Sequence, residues 1–225
     1  MRKEDEVVFF TIHTPNYEKM AQGLVNSFKR FYPNGNIIKY QVENYYYNAL
    51  ETLIGQGKKL IEKYGRAIYI EADSIVCSEC PELFGDFELG MPVNNTSYGD
   101  DKYLNMGLIS ISNPKILDEV ARIEREKRPS EGILAIQNAF NEIYWEKNYK
   151  TKVLEFSDKS YGIAEMFEYP DCRLEGEDLM VGDKKLCIFH AAGDRWKGEK
   201  NGGGKINFWK FKNKEVRKKL KELIS

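Results

Sequence analysis

Glu71 and Asp73 stand on either side of Ala72, directly after the apolar run Ala67 to Ile70. Alternate side chains of an extended segment share a face, so both carboxylates project to one side and can share a cation. Two hard oxygen donors suit magnesium or manganese. Acidic residues also close many strands at loops, and a solvated strand end is the plainer reading of the pair. The buried run before it weighs against that reading, because two carboxylates withdrawn from water repel unless a cation compensates. The second candidate is His190, at the end of the apolar segment Leu186 to Phe189. It is followed by a glycine-punctuated stretch that carries Arg195 and Lys197. A forked guanidinium and a compact ammonium each stabilise phosphate oxygens, so this stretch suits a diphosphate. The alternative is a hydrogen-bonded histidine that merely ends a strand.

These residues need elements to hold them. Val7 to Ile12 (VVFFTI) is a short β-branched and aromatic run, the pattern of a buried strand. Tyr17, Met20, Leu24, Phe28 and Phe31 then recur at helical spacing up to Pro33-Asn34-Gly35. Asn36 to Gln41 reads as a strand, and Tyr45 to Tyr64 as a helix interrupted or bent near Gly55-Gln56-Gly57. Ala67 to Ile70 is the strand that delivers the acidic pair. Leu108 to Ser112 is another strand, Pro114 to Lys127 and Ile133 to Trp145 are helices, and Leu186 to Phe189 is a last strand. Alternating strands and helices build a mostly parallel sheet covered on both faces, which binds ligands beyond the carboxyl ends of its strands. The acidic pair occupies such an end. Thr11 to Asn16, after the first strand, lies at the same binding end.

The chain has 225 residues, 42% hydrophobic, and no visible repeat or linker, so one domain over residues 1–225 is expected. Its 34 basic and 35 acidic residues nearly cancel, which argues against nucleic acid as a partner. No stretch nears the ~20 apolar residues of a membrane span, and Met1 to Glu6 is charged where a signal peptide turns apolar. A cytoplasmic protein is expected. Cys77-x-x-Cys80 with Cys172 and Cys187 lacks the second close pair of a zinc site, so ordinary reduced thiols are expected. Gly198 to Lys205 reads as a flexible glycine-rich segment. A basic C-terminal helix at about residues 213–224 carries Val216, Leu220 and Leu223 at helical spacing. Packing on the domain is its plain reading, and peripheral contact with an anionic membrane is the alternative.

Taken in order, the motifs resemble the retaining GT-A glycosyltransferases of the glycogenin and lipopolysaccharide galactosyltransferase type, glycosyltransferase family eight. Tyr69 to Phe84 (YIEADSIVCSECPELF) resembles the family's metal-binding strand and loop, with Tyr69, Ala72, Asp73, Leu83 and Phe84 matching. Tyr103 to Ser112 resembles its aromatic-x-asparagine-x-glycine stretch, with Asn105 and Gly107 in place. Gln137 to Asn141 (QNAFN) resembles a helix start that reads aspartate-glutamine-x-x-leucine-asparagine, and His190 with Gly193 resembles the late histidine-x-x-glycine motif. The likeness runs from about Val7 to Gly198. Three positions depart from the pattern. Glu71 replaces the first aspartate. Ile136 replaces the aspartate before Gln137, unless Ser130-Glu131 fills that role in a shifted register. Trp196 replaces a lysine, with Arg195 and Lys197 beside it.

The resemblance implies an α/β, Rossmann-like GT-A fold and a metal-dependent transfer of a sugar from a nucleotide-diphosphate sugar, with uridine as the base. Glu71, Asp73 and His190 would hold Mn2+ or Mg2+. Thr11, His13, Thr14, Asn16, Lys58, Ala72, Asn105, Gly193 and Lys197 would hold the donor, and Gln137, Arg195 and Lys197 would serve catalysis. The acceptor would be a glycan, lipid or protein. The bland alternative for Lys58 and its neighbour Lys59 is a solvated helix face. A second class of reading is a catalytically inactive nucleotide- or carbohydrate-binding relative, motivated by Glu71 and Ile136. A sugar nucleotidyltransferase is disfavoured, since His13 to Tyr17 (HTPNY) offers no glycine-rich phosphate loop.

Overall fold

A computed structural model describes residues 8–92, 103–154, 172–190 and 211–225. The first strand, β1 (Val8–His13), is buried along its whole length, and its side chains divide between the two faces of a sheet. Val8, Phe10 and Ile12 enter one hydrophobic cluster and Phe9 another, as the period of two requires. Helix α1 (Glu18–Phe31) buries Leu24 and Phe28 beside Phe9. Next come β2 (Asn36–Gln41) and α2 (Tyr45–Tyr64), then β3 (Ala67–Ile70) and β4 (Ser74–Val76). The expected interruption at Gly55-Gln56-Gly57 is not found: α2 is a single helix. A Cβ on Gly57 would meet Leu117 at 3.0 Å, so glycine here allows a close helix crossing rather than a break.

The chain continues through β5 (Leu89–Met91), β6 (Leu108–Ile111), α3 (Pro114–Glu131), α4 (Ala135–Glu146) and β7 (Thr151–Val153). Helix α3 runs past Lys127 and through Pro129 before it ends at Gly132. Six strands form a sheet in the order β2-β1-β3-β6-β5-β7. Neighbours are parallel except on both sides of β6, which runs against β3 and β5. This is the mixed, mostly parallel sheet expected, with α1 on one face and α2, α3 and α4 on the other. The reversal of β6 has a functional consequence. Its start, not its end, lies beside the end of β3, so Asn105 to Gly107 meet the acidic pair.

Three short strands, β8 (Cys172–Glu175), β9 (Asp178–Val181) and β10 (Lys184–Lys185), form an antiparallel ribbon. It turns at Gly176 and Gly182, both at φ 60°, a backbone conformation that glycine adopts without strain. The expected last strand is β11 (Ile188–His190), shifted to include the histidine, and it pairs antiparallel with β4. Helix α5 (Lys214–Ile224) follows, with Asn213 capping its first turn. Val216, Leu220 and Leu223 are buried with Phe189 and Leu179, and Asn26 Nδ2 donates to the Ile224 carbonyl at 3.0 Å. The apolar stripe that suggested a membrane surface is therefore spent on the domain itself. No helix among the described residues is long and apolar enough to cross a membrane.

Candidate active site

Three side chains converge where β3, β4 and β11 meet. Glu71 and Asp73 lie in the turn after β3 rather than within the strand, closed by the Ser74 amide donating to the Glu71 carbonyl at 3.1 Å. His190 is the register partner of Ser74 across the β4–β11 pair, which brings its ring alongside that turn. Nε2 of His190 is 2.7 Å from Glu71 Oε2 and 3.0 Å from Asp73 Oδ1. One donor atom from each residue falls within 4.8 Å of the others, and no other such cluster occurs among the described residues. The His190 side chain is 1% exposed and that of Asp73 8%.

Burial alone would pull the His190 pKa down. The charges and hydrogen bonds of Asp73 and Glu71 outweigh it and raise the pKa to about 9. The pocket thus favours positive charge, supplied by an imidazolium when no cation is bound. Two carboxylate oxygens and one imidazole nitrogen also fit Mn2+ or Mg2+ by donor type. The greater length of Glu71 relative to aspartate is accommodated by dividing its oxygens. Oε2 faces His190, and Oε1 accepts from Tyr45 Oη at 3.3 Å. Tyr45 Oη is in turn 2.7 Å from the buried Tyr69 hydroxyl.

Gly107 completes the triad's support. Its carbonyl accepts from the Glu71 amide at 2.8 Å, and its own amide donates to Asn105 Oδ1 at 2.6 Å. A Cβ there would lie 2.6 Å from His190 Cε1, so only glycine lets the ring take its place. Asn141 pins this loop to α4: its Oδ1 accepts from the Leu104 amide at 2.7 Å and its Nδ2 donates to the Leu104 carbonyl at 2.9 Å. Gln137, one helical turn earlier, accepts weakly from the Met106 amide at 3.4 Å.

A cavity of about 250 Å³ opens beside the triad, and Glu71, His190, Asn105 and Gln137 all line it. Other residues named from the sequence lie elsewhere. Thr11 and His13 alternate with Ile12, so they project to the other face of β1. Thr11 is fully buried, and its Oγ1 has no hydrogen-bond partner among the described residues. His13 Nε2 is 3.3 Å from Glu18 Oε2, Thr14 is half-buried, Asn16 is exposed and Ala72 is buried. Lys58 is engaged by Asp118 of α3 at 2.6 Å, outside the cavity. Ile136 lines the cavity, and neither Ser130 nor Glu131 does: Glu131 accepts from Asn138 Nδ2. Gly193, Arg195, Lys197, the segment Gly198 to Lys205 and the side chains of Tyr46 and Tyr47 lie outside the described residues. All four cysteines are free and buried. Tyr45 and Asn141 have roles that sequence reasoning missed; the only signal for Asn141 was its place in the QNAFN motif.

The chain is similar in structure to the galactosyltransferase LgtC, solved with donor and acceptor sugar analogs. The two align with a TM-score of 0.53 at 13% identity, over 96% of this chain and 95% of that one. The chain has the GT-A glycosyltransferase fold. That fold is shared with the glycosyltransferase GlyE of Streptococcus pneumoniae TIGR4, at a TM-score of 0.55 and 13% identity, over 96% of this chain and 59% of that one. The bifunctional glycosyltransferase WbbM aligns at 0.57 and 12% identity, over 97% of this chain and 49% of that one. The chain therefore spans about half to three fifths of the length of these two proteins. No protein-family model and no curated protein matches it. The likeness read from short motifs is thus matched at the level of the GT-A fold, although sequence identity is low.

Proposed function

We propose that this chain is a metal-dependent glycosyltransferase that moves a sugar from a nucleotide-diphosphate sugar, a UDP-sugar, to a glycan, lipid or protein acceptor with retained configuration. The observation that carries the proposal is the convergence of Glu71, Asp73 and His190 beside a cavity, on a fold shared with solved glycosyltransferases. A bound Mn2+ or Mg2+ supplies electrostatic neutralisation of the departing nucleoside diphosphate. The chain's own residues do the rest. Glu71, Asp73 and His190 hold the ion. Thr11, His13, Thr14 and Asn16, at and just after the end of β1, are assigned to the nucleoside and Ala72 to the donor on sequence grounds. Gln137 and Asn105 orient the sugar within the cavity. Gly193, Arg195 and Lys197 are assigned to the diphosphate on sequence grounds. Lys58 is assigned to the donor on sequence grounds, a role in which it would exchange its ion pair with Asp118 for a phosphate.

The test is thermal unfolding against a panel of nucleotide-diphosphate sugars, with and without Mn2+, on the wild type and Asp73→Asn. A donor at a hundred times its Kd stabilises by about 2.7 kcal/mol, on the order of 5–10 °C at this size. The expected result is a manganese-dependent rise with one donor that Asp73→Asn abolishes. The absence of a shift with every nucleotide defeats the proposal. Manganese-dependent nucleotide binding without transfer to any acceptor favours the inactive binding relative instead.

A further inference from the structure

The cavity beside the triad is polar where it meets the cluster and apolar over the rest of its described lining. Its described hydrogen-bonding groups are gathered near the triad. Glu71 and His190 face each other, the Tyr45 and Tyr69 hydroxyls bond one another, and Gln137 reaches the Met106 amide. The remaining wall includes Ile12 from β1, Leu50 and Leu53 from α2, and Leu134 and Ile136 around the start of α4. None of these side chains can donate or accept. A sugar hydroxyl turned toward them would give up water without gaining a partner, whereas a methyl group there removes apolar surface from water.

The cavity touches Glu71 and His190, so a group attached to a metal-held diphosphate extends directly into it. None of Thr11, His13, Thr14 and Asn16, the residues assigned to the nucleoside, lines this cavity, which leaves it to the sugar. We propose, resting on the glycosyltransferase reading above, that the donor sugar turns a methyl group toward this wall, as a 6-deoxy sugar does, or a 2-acetamido sugar whose amide N–H and carbonyl stay at the polar edge of the cavity. Ile136 is the specificity-determining residue. It stands beside Gln137, so the amide side chain holds the polar edge of the ring while the isoleucine selects the apolar substituent.

The experiment is calorimetric binding to the full chain with Mn2+. UDP, GDP and dTDP first establish the base. The parent hexose, its 6-deoxy form and its 2-acetamido form are then compared within that nucleotide series. One of the two methyl-bearing donors is expected to bind at least about tenfold tighter than the parent hexose, and which one does so distinguishes the two substituents. The preference is expected to collapse in Ile136→Thr, which sheds one methyl group and sets a hydroxyl on the wall, and to reverse in Ile136→Asp. Equal or tighter binding of the parent hexose, with the nucleoside diphosphate still bound, overturns this inference and leaves the glycosyltransferase reading intact. Failure of every nucleotide to bind overturns both. Circular dichroism of the two variants separates a lost preference from a lost fold.

Discussion

Replacing Gly107 with alanine tests the geometry of the triad most directly. The added Cβ would lie 2.6 Å from His190 Cε1, 2.9 Å from its Nδ1 and 2.9 Å from Asn105 Oδ1. Ordinary contact begins at 3.4 Å, so the ring must retreat by about 0.8 Å. It has nowhere to go without loss. His190 is 1% exposed, and its Nε2 is already 2.7 and 3.0 Å from the two carboxylates. Overpacking of this kind costs about 1–3 kcal/mol, or roughly 2–12 °C in Tm for a chain this long. Misplacing one metal ligand should also weaken manganese binding by about 10- to 100-fold. Gly55→Ala is the matched control, since a Cβ there meets nothing within 4 Å and alanine favours the helix by up to about 1 kcal/mol. The assay is thermal unfolding of both variants, followed by manganese titration. A Gly107→Ala protein with unchanged Tm and unchanged manganese affinity would refute the claim that glycine makes room for the imidazole.

Tyr45→Phe removes the hydroxyl that meets both Glu71 and Tyr69, and should weaken manganese affinity by about tenfold while costing about 1 kcal/mol of stability. Isothermal titration reads the first effect; an unchanged affinity would show that Glu71 needs no such support. The raised His190 pKa makes a pH prediction for metal-free protein. Stability from the imidazolium is complete below the unfolded value of 6.5 and disappears as pH rises through about 9, a loss of about 3 kcal/mol. Urea denaturation in chelator at pH 6 and pH 9.5, compared with His190→Gln, checks it: equal pH dependence in both proteins would remove the basis for the shift. Arg66→Met should destabilise by about 3 kcal/mol, because it removes three charge-assisted hydrogen bonds of a buried guanidinium, to the Ser110 hydroxyl and to the carbonyls of Gly85 and Phe87. Chemical denaturation measures this, and a loss under 1 kcal/mol would contradict it.

The sequence alone determined whatever depends on local pattern. The alternation of β1, the spacing of apolar residues along α1 and the run that becomes β3 each carry their period in the residues themselves, so their place and buried face were legible. The acidic pair at the end of β3 was legible for the same reason, since the strand that delivers it is short, apolar and sharply bounded. Non-local pairing was not legible. Strands as short as β4, β5 and β7 hold too few residues for a period, and only their partners define them. The reversal of β6, which sets Gly107 against Glu71 and His190, is a property of the sheet and leaves no mark in the segment's composition. Tyr45 is separated from Glu71 by 26 residues and meets it only because α2 packs across β3. Lys58 has the residue type of a phosphate ligand, and only the packing of α2 against α3 reveals its ion pair with Asp118. Residue types supplied the possible chemistry, and tertiary contacts decided which side chains share one site, because distances between segments are set by packing and not by spacing along the chain.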